Sequence, residues 1–444
     1  MVKSSIRART RASLASCALL VCVASTGAAA APSYSMKAPR AVEWSEFLGM
    51  NVQFHWFEQD KYRQQMDKLR ELNLKWVRLG LNWDTVEPKA GTWRWNVLDP
   101  VMQSAEEKGL KSLVYLVGSA PFATSAPAGV SNPDQYPPSN PQVYAQSLAT
   151  LAQRYPDVAA WQVWNEQNLP SFWAPNEDPA KYVDLLNVSL RALEQVSPDS
   201  LKVMGGTAYY SQMPVRGGLM FESLIQHKAI NKHLVSAYHP YSHEPEGDVP
   251  GAGDFIQNGD TLNRLLRQNG SGQIWATEFG WSSYSGEVEY QKLVGTDGQA
   301  DYMLRRLALM SAMDYDRIFL FALSDLDARA TLRDRSYGLL DINGQEKPAF
   351  KALKRFLTVS GPRLTPIDAP RFASAPKGMI SIAWKREDGS TLWWFWAQEP
   401  GTVQLASKSA VKMHNPLTGE QQTLPVSSGK VRVAVSRQLQ MIEM

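Results

Sequence analysis

Between residues 47 and 357 the chain alternates, eight times over, between a short apolar run and an amphipathic stretch. The apolar runs cover 47–55, 75–83, 111–117, 158–163, 201–206, 233–241, 273–281 and 316–323. They are nearly continuous in Val, Ile, Leu, Met and aromatics, which suits strands covered on both faces. The stretches between them, 61–72, 97–108, 142–154, 180–196, 218–227, 254–268, 300–313 and 348–357, read as helices. Met66, Leu69 and Leu72 share one side of the first, and Gly109 closes the second as a C-terminal cap. Strands joined in series through helices form a parallel sheet with the helices outside, and eight such units close on themselves. The expected fold is therefore α/β, a (β/α)₈ TIM barrel. Residues 31–44, rich in Pro and Ala, read as a loose lead-in within a catalytic barrel domain of 31–360.

After residue 360 the alternation stops. Strand-like runs at 379–384, 391–396, 403–405 and 431–435 are separated by turn signals such as Asp388-Gly389 and Thr418-Gly419. These predict a small antiparallel β domain, an accessory sandwich over 361–444 without catalytic residues. With 444 residues there is room for one large barrel and one such domain.

The first thirty residues read as a secretory signal peptide. Lys3, Arg7, Arg9 and Arg11 precede a short apolar stretch, and Ala28-Ala-Ala30 offers a cleavage site before Ala31. Left uncleaved, the segment would tether the protein to the inner membrane, facing the periplasm. Cleavage removes Cys17 and Cys22, the only two cysteines, and with them any disulfide, thiolate metal site or thiol nucleophile. It also removes four basic residues and no acidic ones, taking the net charge from +3 to about −1. That balance argues against nucleic acid as a partner. A periplasmic or secreted monomer acting on a soluble or matrix-bound molecule is expected.

Two of the predicted strands end in a glutamate among aromatics: Trp164-Asn165-Glu166 and Thr277-Glu278-Phe279-Gly280-Trp281. Barrels of this kind carry their chemistry at the C-terminal ends of several strands at once. Two carboxyl groups there are what glycoside hydrolysis needs: one protonates the leaving oxygen, the other attacks the sugar or activates water. A carboxyl shielded from water by indole rings also has its pKa raised, as a general acid requires.

Over residues 45–360 this pair of motifs resembles clan A of the glycoside hydrolases, within it family 39, and most closely the PslG-type glycosidases of bacterial exopolysaccharide gene clusters. The resemblance implies that Glu166, on the fourth strand after an Asn, is the acid/base and that Glu278, on the seventh, is the nucleophile. It further implies that Arg78 supports the nucleophile from the second strand, and that Asn165 bonds the sugar 2-hydroxyl. His239 and Tyr241, with Tyr238 as an alternative to Tyr241, would touch the nucleophile and the bound sugar. His55 and Trp56 are candidates for a subsite wall, and Trp281 for a stacking platform. A tryptophan common after the eighth strand in the clan is missing here, where the sequence reads Ala322-Leu323-Ser324-Asp325.

No cofactor is expected. His239, His243 and Glu244 lack the spacing of a helical zinc motif and are interrupted by Pro240 and Pro245, so no metal is assigned to them. The expected activity is that of a retaining, endo-acting glycosidase on an extracellular or periplasmic polysaccharide. Alternatives are an exo-acting family 39 enzyme such as a β-xylosidase and a non-catalytic polysaccharide-binding barrel. The presence of both glutamates argues against the last.

Overall fold

The computed structural model of the chain describes residues 33–208, 220–249, 251–286 and 291–444. The signal segment predicted for 1–30 lies outside them. Eight parallel strands form a closed barrel: β1 (Leu48–Val52), β2 (Trp76–Asn82), β3 (Lys111–Val117), β4 (Ala160–Val163), β5 (Leu201–Met204), β6 (Leu234–His239), β7 (Gln273–Phe279) and β8 (Arg317–Leu320). Closure is visible in the register. Trp275 of β7 lies opposite Ala237 of β6 and Arg317 of β8, and Ile318 of β8 lies opposite Leu48 of β1.

The outer helices are α1 (Gln59–Glu71), α2 (Trp95–Glu107), α3 (Pro141–Arg154), α4 (Pro179–Val196), α5 (Met220–Gln226), α6 (Asp254–Gln268), α7 (Gly295–Ser311) and α8 (Pro348–Ser360). Their starts follow local chemistry. Proline opens α3, α4 and α8, where its missing N–H is no loss. The Asn140 and Asp178 side chains cap α3 and α4 by accepting from the Gln142 and Lys181 amides. The expected TIM barrel is the observed one. Several boundaries moved by a few residues: α7 begins at Gly295 rather than 300, and the apolar runs to 55 and 323 overshoot β1 and β8, which end at Val52 and Leu320.

The C-terminal region folds as β9 (Arg363–Ile367), β10 (Ile380–Arg386), β11 (Thr391–Trp396), β12 (Gly401–Ala406), β13 (Val411–His414), β14 (Gln421–Leu424), β15 (Lys430–Val435) and β16 (Gln440–Glu443). Six of these strands form an antiparallel sheet in the order β14-β13-β16-β11-β10-β9, and β12 and β15 pair as a separate ribbon. The predicted loose lead-in contains two short strands. Val42–Glu43 extends the sheet beside β9, and Tyr34–Met36 pairs parallel to β10. Backbone pairing overrides the Pro- and Ala-rich composition there.

β11 buries both of its faces. Trp393 and Phe395 stack at 4.0 Å and pack with Val403, Leu405, Val431 and Val433 of the ribbon. Leu392, Trp394 and Trp396 face the other way, into the barrel's own core. There Trp394 lies 4.9 Å from Phe356 of α8 and 5.4 Å from Trp384. Truncating a large ring in such a site leaves a cavity that its neighbours fill only in part. Trp394→Ala should therefore cost about 3–5 kcal/mol, read as a lowered midpoint in denaturant unfolding. Among the described residues no helix is long and apolar enough to cross a membrane.

Candidate active site

The site is built around one buried cation. Arg78 points from β2 into the barrel with its side chain fully shielded from solvent. A guanidinium taken out of water needs every donor matched. Its Nη1 donates to Glu278 Oε1 at 2.5 Å and to Asn51 Oδ1 at 2.8 Å. Its Nη2 donates to Asn165 Oδ1 at 2.7 Å, and Nε to Gln162 Oε1 at 3.0 Å. The guanidinium carbon lies 4.0 Å from the centre of the Tyr115 ring. Tyr115 fits because position 80 on the neighbouring strand is glycine, where a Cβ would sit 2.3 Å from the tyrosine oxygen. Strands β1, β2, β3 and β4 thus each contribute one side chain to this layer.

Glu278 sits at the end of β7. Besides Arg78, it accepts from the Tyr241 hydroxyl at 3.1 Å, and His239 Nδ1 is 3.7 Å from its second oxygen. Burial pushes this carboxyl up, but the charges of His239 and Arg78 and the two hydrogen bonds outweigh it. The net direction is down, so the group is held as a carboxylate.

Glu166 follows β4 in a strained turn. Trp164 has φ 71° and Glu166 φ 43°, both in the left-handed region that non-glycine residues seldom occupy. The Glu166 amide donates to the Gly206 carbonyl at 3.0 Å, which anchors the turn to the next strand connection. The carboxyl meets His239 Nδ1 at 2.8 Å, while His239 Nε2 meets Thr277 Oγ1 at 3.0 Å. A Cβ on Gly206 would lie 2.1 Å from that Nε2, so only glycine lets the ring stand there. Burial is the largest influence on Glu166 and raises its pKa; His239 opposes this, and the neighbouring Glu278 charge adds to it. The net direction is up.

One oxygen of each glutamate and a ring nitrogen of His239 lie within 4.8 Å of one another. Among the described residues they are the one group of His, Cys, Asp and Glu spaced closely enough to share a cation. Such a cation would stand beside the Arg78 guanidinium, which already neutralises Glu278. His243 and Glu244 do not join them, and Glu244 pairs with Lys292 at 2.8 Å.

The site residues expected from sequence divide clearly. Glu166, Glu278, Asn165, Arg78, His239 and Tyr241 come together. Arg78 and His239, however, are buried behind the carboxylates rather than open to a substrate, at 1% and 0% exposure. Their polar atoms are turned to the two carboxylates: Arg78 to Glu278 and His239 to Glu166. Tyr238 points away, to Asn263 and Tyr315, so Tyr241 is the hydroxyl that reaches Glu278.

Trp281 is no stacking platform. It is 2% exposed, donates to the Ser242 and His243 carbonyls, and meets Tyr302 edge-on. His55 and Trp56 lie in a 3₁₀ turn after β1. Burial and nearby Arg329 hold the His55 imidazole down to about 4, hence neutral at pH 7. One Trp56 face carries the Arg329 guanidinium at 4.7 Å. Asn51, Tyr115, Gln162 and Thr277 were not singled out from sequence. Each sits on a barrel strand, facing inward, which only the register reveals. After β8, where the clan's tryptophan is missing, Phe321 is a half-buried ring that meets Tyr337 at 5.3 Å.

The opposite shifts of the two carboxyls fix a pH expectation. The two directions favour Glu278 as the carboxylate and Glu166 as the acid of the pair. As pH falls through the lowered Glu278 value its charge is lost; as pH rises through the raised Glu166 value its proton is lost. A plot of kcat/KM against pH for an aryl glycoside should be bell-shaped. Tyr241→Phe should move its acid limb upward, because a hydrogen bond that favours the carboxylate has gone.

A family profile of glycoside hydrolase family 42, described as β-galactosidase, matches residues 52–137. Among curated protein sequences none matches. Solved structures are similar over most of the chain. A family 39 glycoside hydrolase from the gut symbiont Bacteroides cellulosilyticus has a TM-score of 0.69 at 18% identity, over 91% of this chain and 82% of that one. A monomeric β-xylosidase from Caulobacter crescentus has 0.63 at 15%, over 92% and 97%. A family 39 enzyme from Xanthomonas axonopodis pv. citri has 0.60 at 14%, over 96% and 99%. Over more than nine-tenths of its length, the chain has the fold of these family 39 glycoside hydrolases.

Proposed function

We propose that the protein is a retaining glycoside hydrolase that cuts within an extracellular or periplasmic polysaccharide. One observation carries this reading: two buried carboxyls at the ends of β4 and β7, with oxygens within 4.8 Å and opposite protonation preferences. Retaining enzymes hold their carboxyls about 5–5.5 Å apart, whereas inverting enzymes leave about 6.5–9.5 Å for a water. Glu278 attacks the anomeric carbon while Glu166 gives its proton to the leaving oxygen. That forms a glycosyl–Glu278 ester and frees the alcohol. Glu166, now a carboxylate, takes a proton from water, which attacks the same carbon and releases Glu278. Among the described residues Asn165 gives its Nδ2 to no protein acceptor; it is the donor for the sugar 2-hydroxyl, whose bond strengthens as positive charge develops.

The signal-type N-terminus supports action outside the cytoplasm, and no step calls on a cofactor. Proton NMR of the first product formed from a β-glycan tests the stereochemistry. A β-anomer supports the double displacement, and an α-anomer makes Glu278 a general base. Product size tests the mode: a ladder of oligosaccharides supports internal cutting, while monosaccharide alone moves the reading to the exo-acting β-xylosidase type.

A further inference from the structure

Arg306, midway along α7, is fully buried, and no carboxylate lies within ion-pair distance of it among the described residues. Its guanidinium carbon lies 3.5 Å from the centre of the Phe255 ring and 5.2 Å from that of Trp281. Burial pulls its pKa down to about 10, partly offset by the charges of Glu246 and Asp248 and by Tyr315 and Tyr238. An apolar residue of similar volume would fill such a space at lower cost. What a guanidinium adds is a rigid fork of donors.

All three of its nitrogens donate to one short loop, through four contacts. Nε donates to the Pro245 carbonyl at 2.9 Å, Nη1 to the Pro240 carbonyl at 2.7 Å, and Nη2 to the Glu244 carbonyl at 3.2 Å and to Ser242 Oγ. Trp281 Nε1 donates to the Ser242 and His243 carbonyls at 3.1 and 3.2 Å, and Gln291 Nε2 to the Ser242 carbonyl at 3.0 Å. Tyr241 therefore lies between two anchored neighbours, Pro240 and Ser242. Its hydroxyl is the group that reaches Glu278.

We propose that Arg306 is a positioning residue for the nucleophile, acting through residues 240–245 to hold the Tyr241 hydroxyl on Glu278. This rests on the glycosidase reading above. The other groups facing Glu278 are Arg78 from β2, Tyr115 from β3, Asn165 and Glu166 after β4, and His239 at the end of β6. None of their side chains is hydrogen-bonded to Arg306; His239 adjoins Pro240, whose carbonyl Arg306 holds, so the Tyr241→Phe background separates a route through Tyr241 from one through His239.

The test is a cycle of full-length variants. Arg306→Lys and Ser242→Ala are each made alone and in a Tyr241→Phe background. Ser242→Ala removes one of the four contacts and keeps the buried charge, so it carries the test if Arg306→Lys does not fold. Two quantities are read: the acid limb of kcat/KM on an aryl glycoside, and the titration of Glu278 by carbon-13 carboxyl NMR. Each single variant should raise both by about half a pH unit or more, the effect of weakening one hydrogen bond to a carboxylate. In the Tyr241→Phe background the same changes should raise neither further. An equal shift in both backgrounds, or none in either, overturns the proposal. An absent turnover with an intact NMR cycle would overturn the glycosidase reading and leave the positioning role standing.

Discussion

Glu278→Gln should lower kcat on every glycoside by on the order of 10⁵-fold, as expected when a covalent nucleophile is removed from an otherwise intact site. The amide is nearly isosteric: its oxygen can still accept from Arg78, while its NH₂ replaces the oxygen that accepted from Tyr241, so the Tyr241 hydroxyl must turn to accept instead. Substrate binding should survive, and the loss should appear in kcat rather than KM. Arg78, however, would then face a neutral group. A buried cation deprived of its counter-ion destabilises the fold by about 3–5 kcal/mol when no other partner is left. Asn51, Gln162 and Asn165 still accept from it, so the melting temperature should fall only modestly. A variant retaining more than about one hundredth of wild-type kcat would remove Glu278 from the nucleophile role.

Glu166→Ala should split by leaving group. On natural linkages, whose leaving oxygen must be protonated, kcat/KM should fall by about 10²–10⁴-fold. On a dinitrophenyl glycoside the first step needs no proton and should remain fast, while the glycosyl-enzyme persists for want of a base. Azide attacks that intermediate without general-base help, so added azide should restore turnover and yield a glycosyl azide of retained configuration. An azide product of inverted configuration would mean direct attack on the substrate, with Glu278 not forming an ester. The same variant frees His239 Nδ1 from its partner. Its remaining close carboxylate is then Glu278, 3.7 Å away.

The barrel and its two glutamates were legible because both depend on local pattern. Alternation of apolar runs and amphipathic stretches survives without any tertiary knowledge, and a polar residue that ends an apolar run marks a strand tip. Three kinds of feature were not legible. The first is direction: Trp281 follows Glu278 at once and looks like a platform, yet its ring turns inward to serve the carbonyls of residues 242 and 243. The second is register. Asn51, Tyr115, Gln162 and Thr277 meet only because neighbouring strands are staggered in one particular way, with Asn51 opposite Arg78 and Tyr115 opposite Gln162. The third is long-range pairing. Gln421–Leu424 and Gln440–Glu443 carry little apolar signal, and they are strands because another strand lies beside each. Phe321 escaped notice for a related reason: the apolar run continues past the last paired residue and hides where the strand stops.

The two short strands before the barrel bear on how the protein can be cut and how it comes to be made. Tyr34–Met36 and Val42–Glu43 are hydrogen-bonded to β10 and β9, which the ribosome produces only after the whole barrel. The emerging N-terminal segment has no sheet to join until then, so this pairing is a late event, with a large loop to close. A protease cut or a gene truncation near residue 360 yields no self-sufficient module on either side. The downstream fragment lacks two strands of its sheet, and the upstream fragment keeps them as unpaired edges beside the aromatic face that Trp394 had covered. Such edges invite pairing with another chain. Fragments made at that seam should aggregate, whereas the two expressed together can recombine.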